Sequence, residues 1–264
     1  MRRVLAVVYS LTGATVGSPT EGRSMDALAQ EQDCWQEFAD VLAAGMGRVL
    51  LYGPPGTGKT YAALHAGAST ALAERLICTE DLTAGEITGT WMPGRDGVFT
   101  WREGPAIRAW RGVDGSGARL VLDEVDRASG DALATLLAVT DSPESARWRH
   151  PETLEWVRPG PNFSVVMTSN IDELDEIPAS LLDRFALRIF IDRPHPEALS
   201  HLSADLREPA RRGSVGPNDR RVSLRRFYAY DELRALYGPS RAAQLVFGAS
   251  AEAVLDALRV GAMA

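Results

Sequence analysis

Residues 48 to 60 constrain the fold more than any other stretch. An apolar run that reads as a strand, Arg48 to Tyr52, leads directly into Gly53-Pro54-Pro55-Gly56-Thr57-Gly58-Lys59-Thr60, and a helical pattern follows. The spacing GxxxxGK[ST] between a strand and a helix is a phosphate-binding loop. Glycines at 53, 56 and 58 let the backbone curl so that successive N–H groups face one anion, and the helix start adds partial positive charge. Lys59 is placed to reach the β- and γ-phosphate oxygens, and the Thr60 hydroxyl to ligate Mg²⁺. The plain alternative is a glycine-rich turn that holds no ligand. The lysine itself is informative: among 28 Lys and Arg residues it is the only lysine. A flat guanidinium cannot replace a compact ammonium inside a tight ring of backbone N–H groups, so the chain keeps its one lysine where the loop needs it.

A phosphate loop does not choose between nucleotide chemistries, so the second half of the site decides. Arg119 to Leu122 is an apolar strand ending in Asp123-Glu124. Asp123 is placed to hold the Mg²⁺ shell and Glu124 to orient and polarise an attacking water; the alternative is an ordinary strand with an acidic edge. Asn170 is followed by Ile171-Asp172 and not by the lysine of a guanine-reading motif. ATP is therefore favoured over GTP.

Further apolar strands are expected at Arg75 to Thr79, Ser164 to Thr168 and Leu187 to Ile191, separated by helical stretches. Short apolar strands alternating with helices indicate an α/β fold with a parallel sheet covered on both faces. A helix capped by Ser24 and carrying Leu28, Trp35, Phe38, Val41 and Leu42 precedes them. Pro194 and Pro196 then punctuate the chain, and the remainder shows only helical patterns, such as Ala251 to Val260. The expected organisation is an N-terminal arm and linker at 1–24, a nucleotide core at 25–193 and a small all-helical unit at 194–264. Met1-Arg2-Arg3 and the apolar run Val4 to Leu11 imitate a secretory signal, but the run is short and lacks a clean cleavage site, so an arm is the favoured reading.

Composition narrows the function classes. With 45% hydrophobic residues and 24% charged the chain is globular, and no run approaches the roughly 20 apolar residues of a membrane helix. Cys34 and Cys78 lie far apart without a CxxC partner, which suits reduced thiols in the cytoplasm. His65, His150, His195 and His201 show no transition-metal ligand spacing. Thirty-five acidic residues give a formal charge of −7, which opposes sequence-independent binding along a polyanion.

These residues resemble the AAA+ ATPases, and within them the MoxR-like, dynein-related branch, whose relatives include McrB-type motors, gas-vesicle proteins and activators of carboxylation and nitric-oxide-reducing enzymes. Five landmarks stand in that family's order: the phosphate loop, Asp123-Glu124-Val125-Asp126-Arg127-Ala128, Met167-Thr168-Ser169-Asn170, Leu181-Leu182-Asp183-Arg184-Phe185 and Ser223-Leu224-Arg225. The resemblance implies a five-stranded P-loop αβα sandwich with a helical lid. It implies that Asn170 is the first sensor of the γ-phosphate, Arg184 an arginine finger acting on a neighbouring subunit, and Arg225 the second sensor, with Arg226 beside it leaving that register open. Without the family, Asn170 reads as a turn asparagine and Arg184 as the partner of a local carboxylate such as Asp183.

The same branch carries two inserts in its core, and both have candidates. Residues 89 to 104 hold an Asp-Gly turn followed by alternation at Phe99 and Trp101, a hairpin signature. Residues 147 to 158 suggest a second hairpin turning near Glu152, which would set Trp148 opposite Trp156. Four of the six tryptophans fall on these segments, where they either hold the hairpins together or, at Trp91 or Phe99, face a substrate. Together these features imply a homohexameric ring using ATP and Mg²⁺ to remodel a partner protein, a von Willebrand A domain protein being one candidate client. The alternative is a nucleic-acid motor, for which the only local support is a cluster of Arg207, Arg211, Arg212, Arg220, Arg221, Arg225 and Arg226 without interleaved aromatics.

Overall fold

A computed structural model describes residues 33–67, 73–214 and 221–261. The expected arm at 1–24, the Ser24 cap, Leu28 and Arg220 lie outside the described residues. In chain order the elements are α1 (Cys34–Ala43), β1 (Arg48–Tyr52), α2 (Lys59–His65), β2 (Glu74–Ile77), α3 (Ala84–Thr88), β3 (Gly89–Pro93), β4 (Phe99–Glu103), α4 (Pro105–Arg111), β5 (Arg119–Asp123) and α5 (Gly130–Val139). There follow β6 (Trp148–Arg149), β7 (Trp156–Val157), β8 (Ser164–Thr168), α6 (Ala179–Arg184), β9 (Leu187–Phe190), α7 (Pro196–Ser200), α8 (Ala204–Gly213), α9 (Leu224–Tyr237), α10 (Pro239–Phe247) and α11 (Ala251–Gly261).

Strands β1, β2, β5, β8 and β9 form one sheet in the order β2-β5-β8-β1-β9, with every neighbouring pair parallel. Parallel strands need crossover connections and are stable when both faces are covered. The alternation of side chains shows how: Leu50, Leu120, Leu122, Val165 and Met167 pack on one side with Trp110, Leu136 and Phe185, whereas Val49, Leu51, Val121, Val166 and Ile189 pack on the other with Trp35, Phe38 and Ala62. This is the αβα sandwich of the P-loop fold. Helix α1 begins at Cys34, where the Asp33 carboxylate accepts from Trp35 N at 3.2 Å, and its Trp35 and Phe38 face the sheet as their spacing predicts. The helical portion has an apolar cluster of its own, including Leu206, Leu224, Phe227, Tyr230 and Phe247. Among the described residues no helix is long and apolar enough to cross a membrane.

Both hairpins are present. In β3–β4 the register pairs Trp91 with Trp101 and Pro93 with Phe99, and the rings of Trp91 and Trp101 meet edge to face at 5.5 Å. The second hairpin differs from expectation by one residue: Trp148 pairs with Val157, and Trp156 with Arg149. The reason is the turn. The His150 side chain accepts from the backbone N–H groups of Glu152 (3.2 Å) and Thr153 (3.1 Å), and Leu154 takes a left-handed φ of 60°, so the loop has six residues and its centre moves. Trp148 turns toward Trp101 at 5.8 Å and joins the two hairpins, whereas Trp156 is 60% exposed under the Arg147 guanidinium.

Candidate active site

The loop between β1 and α2 takes its path from its glycines. Gly53, Gly56 and Gly58 have φ of 130°, 78° and 102°, a region where a side chain is strained. Space is also lacking: a Cβ on Gly53 would lie 2.6 Å from the Ile191 carbonyl, and one on Gly56 would lie 2.7 Å from Ser223 Cβ. Thr57 is nearly fully buried, and its carbonyl accepts from His195 N at 2.8 Å. Pro54 and Pro55 border a second cleft, together with Asn170, Asp172 and Ser223.

Lys59 opens α2 and is 4% exposed. Its ammonium donates to the carbonyls of Gly53 (2.9 Å) and Pro54 (2.8 Å). Burial pulls its pKa down to about 8, against the opposing pull of Asp123. Thr60 donates from its hydroxyl to Asp123 Oδ1 at 2.7 Å, and the Thr168 hydroxyl donates to the same oxygen. Asp123 closes β5 and is 5% exposed. Burial acts to raise its pKa, but hydrogen bonds from Thr168, Arg75 and Thr60 outweigh that and hold it below the ordinary carboxylate value.

Glu124 follows at a left-handed φ of 57°, which turns its side chain away from the strand line. Asn170, just past β8, donates from Nδ2 to Glu124 Oε1 at 3.2 Å, and Arg127 pairs with Oε2 at 3.2 Å. The neighbouring Asp126 is tied to Ser169 Oγ at 2.5 Å. Adjacent ends of β5 and β8 thus bring Asp123, Glu124, Thr168 and Asn170 together, as parallel register requires.

One cavity of about 390 Å³ joins these groups. Gly56, Gly58, Lys59, Thr60, Asp123, Glu124 and Asn170 line it from the core, and Arg225 lines it from the first turn of α9. Arg226 turns the other way: it donates to the Val246 carbonyl and lies over the Phe247 ring. Arg184, at the end of α6, does not line the cavity. Its Nη1 donates to Ser180 O at 3.0 Å, its Nη2 lies 3.9 Å from Asp141 and not on Asp183, and its buried Nε has no hydrogen-bond partner. The backbone carbonyl of Asp141 accepts from Arg48, the first residue of β1, whereas the phosphate loop leaves that strand at its other end.

Sequence reasoning missed Arg75. It lies on β2, lines the cavity and pairs with Asp123. The signal was a cation opening an apolar run, Leu76-Ile77-Cys78, but its target becomes visible only once β2 is known to neighbour β5. Most of the apolar wall of the cavity, with Tyr61, Ile77, Ala198 and Tyr228 beside Leu224, was likewise outside any motif.

The residues present suit Mg²⁺ and a nucleotide triphosphate. Thr60 and Asp123 are hard oxygen donors, the kind Mg²⁺ takes alongside phosphate, and the three left-handed glycines give the loop its curled backbone path. The family match agrees with that chemistry. The family described as AAA domain, dynein-related subfamily, matches residues 48–185. No curated protein matches the chain. Among solved structures, a candidate ATPase from Cytophaga hutchinsonii aligns with 22% identity and a TM-score of 0.42, over 61% of this chain and 46% of its own. The chain thus spans less than half the length of that protein.

Proposed function

The chain belongs to the dynein-related subfamily of AAA domains, and from that premise we propose that it is an ATPase that hydrolyses Mg²⁺-ATP at subunit interfaces of a ring, using the motion to remodel a partner protein. The observation that carries this reading is the division of the candidate groups: one cavity holds Lys59, Thr60, Asp123, Glu124, Asn170 and Arg225, and Arg184 stands apart from it. A single copy therefore presents an active site that lacks its expected finger, and a finger without a phosphate to reach.

In this mechanism the loop from Gly53 to Thr60 cradles the phosphates, and Lys59 exchanges its two carbonyl partners for phosphate oxygens. Thr60 and Asp123 would hold Mg²⁺, which when bound neutralises charge on the transferring phosphoryl group. Glu124 takes the proton of the attacking water, with Asn170 holding its carboxylate in place. Arg225 links the cavity to the helical lid, so loss of the γ-phosphate changes what the lid can grip. The apolar wall is the part of the cavity with surface suited to a nucleobase.

A protein client is favoured over nucleic acid because five of the described arginines at the start of the helical portion are engaged within the chain. Arg207 donates to Leu202 O and Ser200 O, Arg211 and Arg212 pair with Glu208, Arg221 pairs with Asp172, and Arg226 holds Val246 O. The surface offered to a client is the tip of the first hairpin, where Val98 and Phe99 are 58% and 59% exposed. We assign ring geometry, cytoplasmic setting and a von Willebrand A type client to this reading as proposals resting on the family resemblance.

Titrating Arg184→Ala into wild-type protein tests the shared site. Phosphate release should fall more steeply than the mutant fraction, because each mutant subunit silences its neighbour's site. A linear decline, or full activity of Arg184→Ala alone, rejects the interface.

A further inference from the structure

Resting on that Mg²⁺-ATP reading, we propose that Arg75 is a positioning residue of the site: it is the resident counter-ion of Asp123 and competes with the divalent cation for that carboxylate.

Asp123 is buried, and an ionised carboxylate out of water requires a compensating partner. Both its oxygens are engaged. Oδ1 accepts from the hydroxyls of Thr60 and Thr168, which carry no charge. Oδ2 accepts from Arg75 through both Nε, at 3.2 Å, and Nη2. The other cation close by, Lys59, spends its hydrogen bonds on the Gly53 and Pro54 carbonyls. Arg75 therefore supplies the positive charge that Asp123 contacts directly.

Its position allows it to leave. Arg75 sits on the edge strand β2, its side chain is 43% exposed, and it lines the cavity that would receive the phosphates. A half-exposed guanidinium regains water when released, and phosphate oxygens are good bidentate partners for it. Asp123 has no such freedom, being fixed at the end of an inner strand. A divalent cation arriving alone must displace Arg75 and lie beside its charge. Arriving with a triphosphate, it brings the anionic oxygens that take Arg75 over. The device makes metal binding depend on nucleotide.

The test is a Mn²⁺ titration of the full, nucleotide-free chain, with free Mn²⁺ read by electron paramagnetic resonance, for wild type, Arg75→Gln, Arg75→Met and Arg75→Lys. Arg75→Gln and Arg75→Met should bind Mn²⁺ about tenfold more tightly than wild type, the scale of one charge-assisted contact. Arg75→Lys, which keeps the charge, should stay within about threefold of wild type; thermal melts establish that each variant is folded. Equal or weaker Mn²⁺ binding in the Gln and Met variants overturns the proposal. So does weaker binding of a fluorescent ATP analogue in EDTA with unchanged Mn²⁺ affinity, which would make Arg75 a phosphate ligand. Nucleotide binding by Lys59→Ala, measured in parallel, tests the underlying reading separately: undiminished affinity there removes the ATP site whatever the metal titration shows.

Discussion

The cavity at the end of the five-stranded sheet and the pair of hairpins are built on opposite principles. In the sheet, Leu120, Val121 and Leu122 are fully buried between neighbours on both sides, so Asp123 and Glu124 emerge from a framework that their own contacts need not support. In the hairpins each strand has one partner, and β6 and β7 have two residues apiece. Isolated two-stranded hairpins are marginal in water. Here the aromatic chain Trp91, Trp101, Trp148 and His150 supplies the missing core. Trp101 and Trp148 on the hairpins and Asp123 on an inner strand thus have different duties: the tryptophans hold their elements together, while the carboxylate is free to do chemistry because its element is already held.

The largest test of this contrast is Lys59→Ala. It should abolish tight nucleotide binding, with at least a roughly 100-fold loss in titrations of a fluorescent ATP analogue, while the melting temperature does not fall, since the sheet does not depend on this side chain and burial of its charge opposes folding. A large drop in melting temperature would show that site and scaffold are not separable. Next, Trp101→Ala should cost about 2 kcal/mol of stability by denaturant unfolding, below the range for a fully buried tryptophan because Trp101 is half-buried; a change within error would mean that the aromatic chain is not what holds the hairpins.

A subtler effect follows from the buried ammonium. Lys59 titrates at about 8 in the folded chain against an ordinary 10.5, so between those values the unfolded chain binds more protons. Its contribution therefore opposes folding below pH 8, and that penalty fades as pH rises through the window. Phosphate oxygens favour the charged form, so ATP binding near pH 8.5 should take up a fraction of a proton. Calorimetry in buffers of different ionisation enthalpy measures this; zero uptake would mean that Lys59 does not meet the phosphates. The smallest effect on stability is expected for Phe99→Ala, within about 0.5 kcal/mol, the usual range for exposed positions. Client-stimulated hydrolysis should nevertheless fall, and unchanged stimulation would end the case for the hairpin tip as a client surface.

Much of the site was legible in advance because its signals are local. The loop glycines, Lys59 and Thr60 lie within eight residues, and Asp123-Glu124 and Asn170 each end an apolar run. Five strands follow from such runs, with boundaries displaced by a residue or two. Features that depend on packing were not legible. The hairpin register around His150 turned on one side chain folding back on its own loop. Arg225 and Arg226 are adjacent in sequence, yet one faces the cavity and the other the Phe247 ring, because α9 rotates successive side chains around its axis and only its packing on α10 sets the phase. Arg184 meets Asp141 and not Asp183, since residues side by side on a helix point apart while distant ones converge.

By itself, then, the sequence determined the elements, the phosphate loop and the carboxylate pair, all of which arise from periodicity and backbone demands spanning a few residues. Only the tertiary structure decided that β2 lies against β5. That adjacency brings Arg75 onto Asp123 across 48 positions of chain, and no local pattern encodes it, because strand order is chosen by how both faces of the whole sheet are covered.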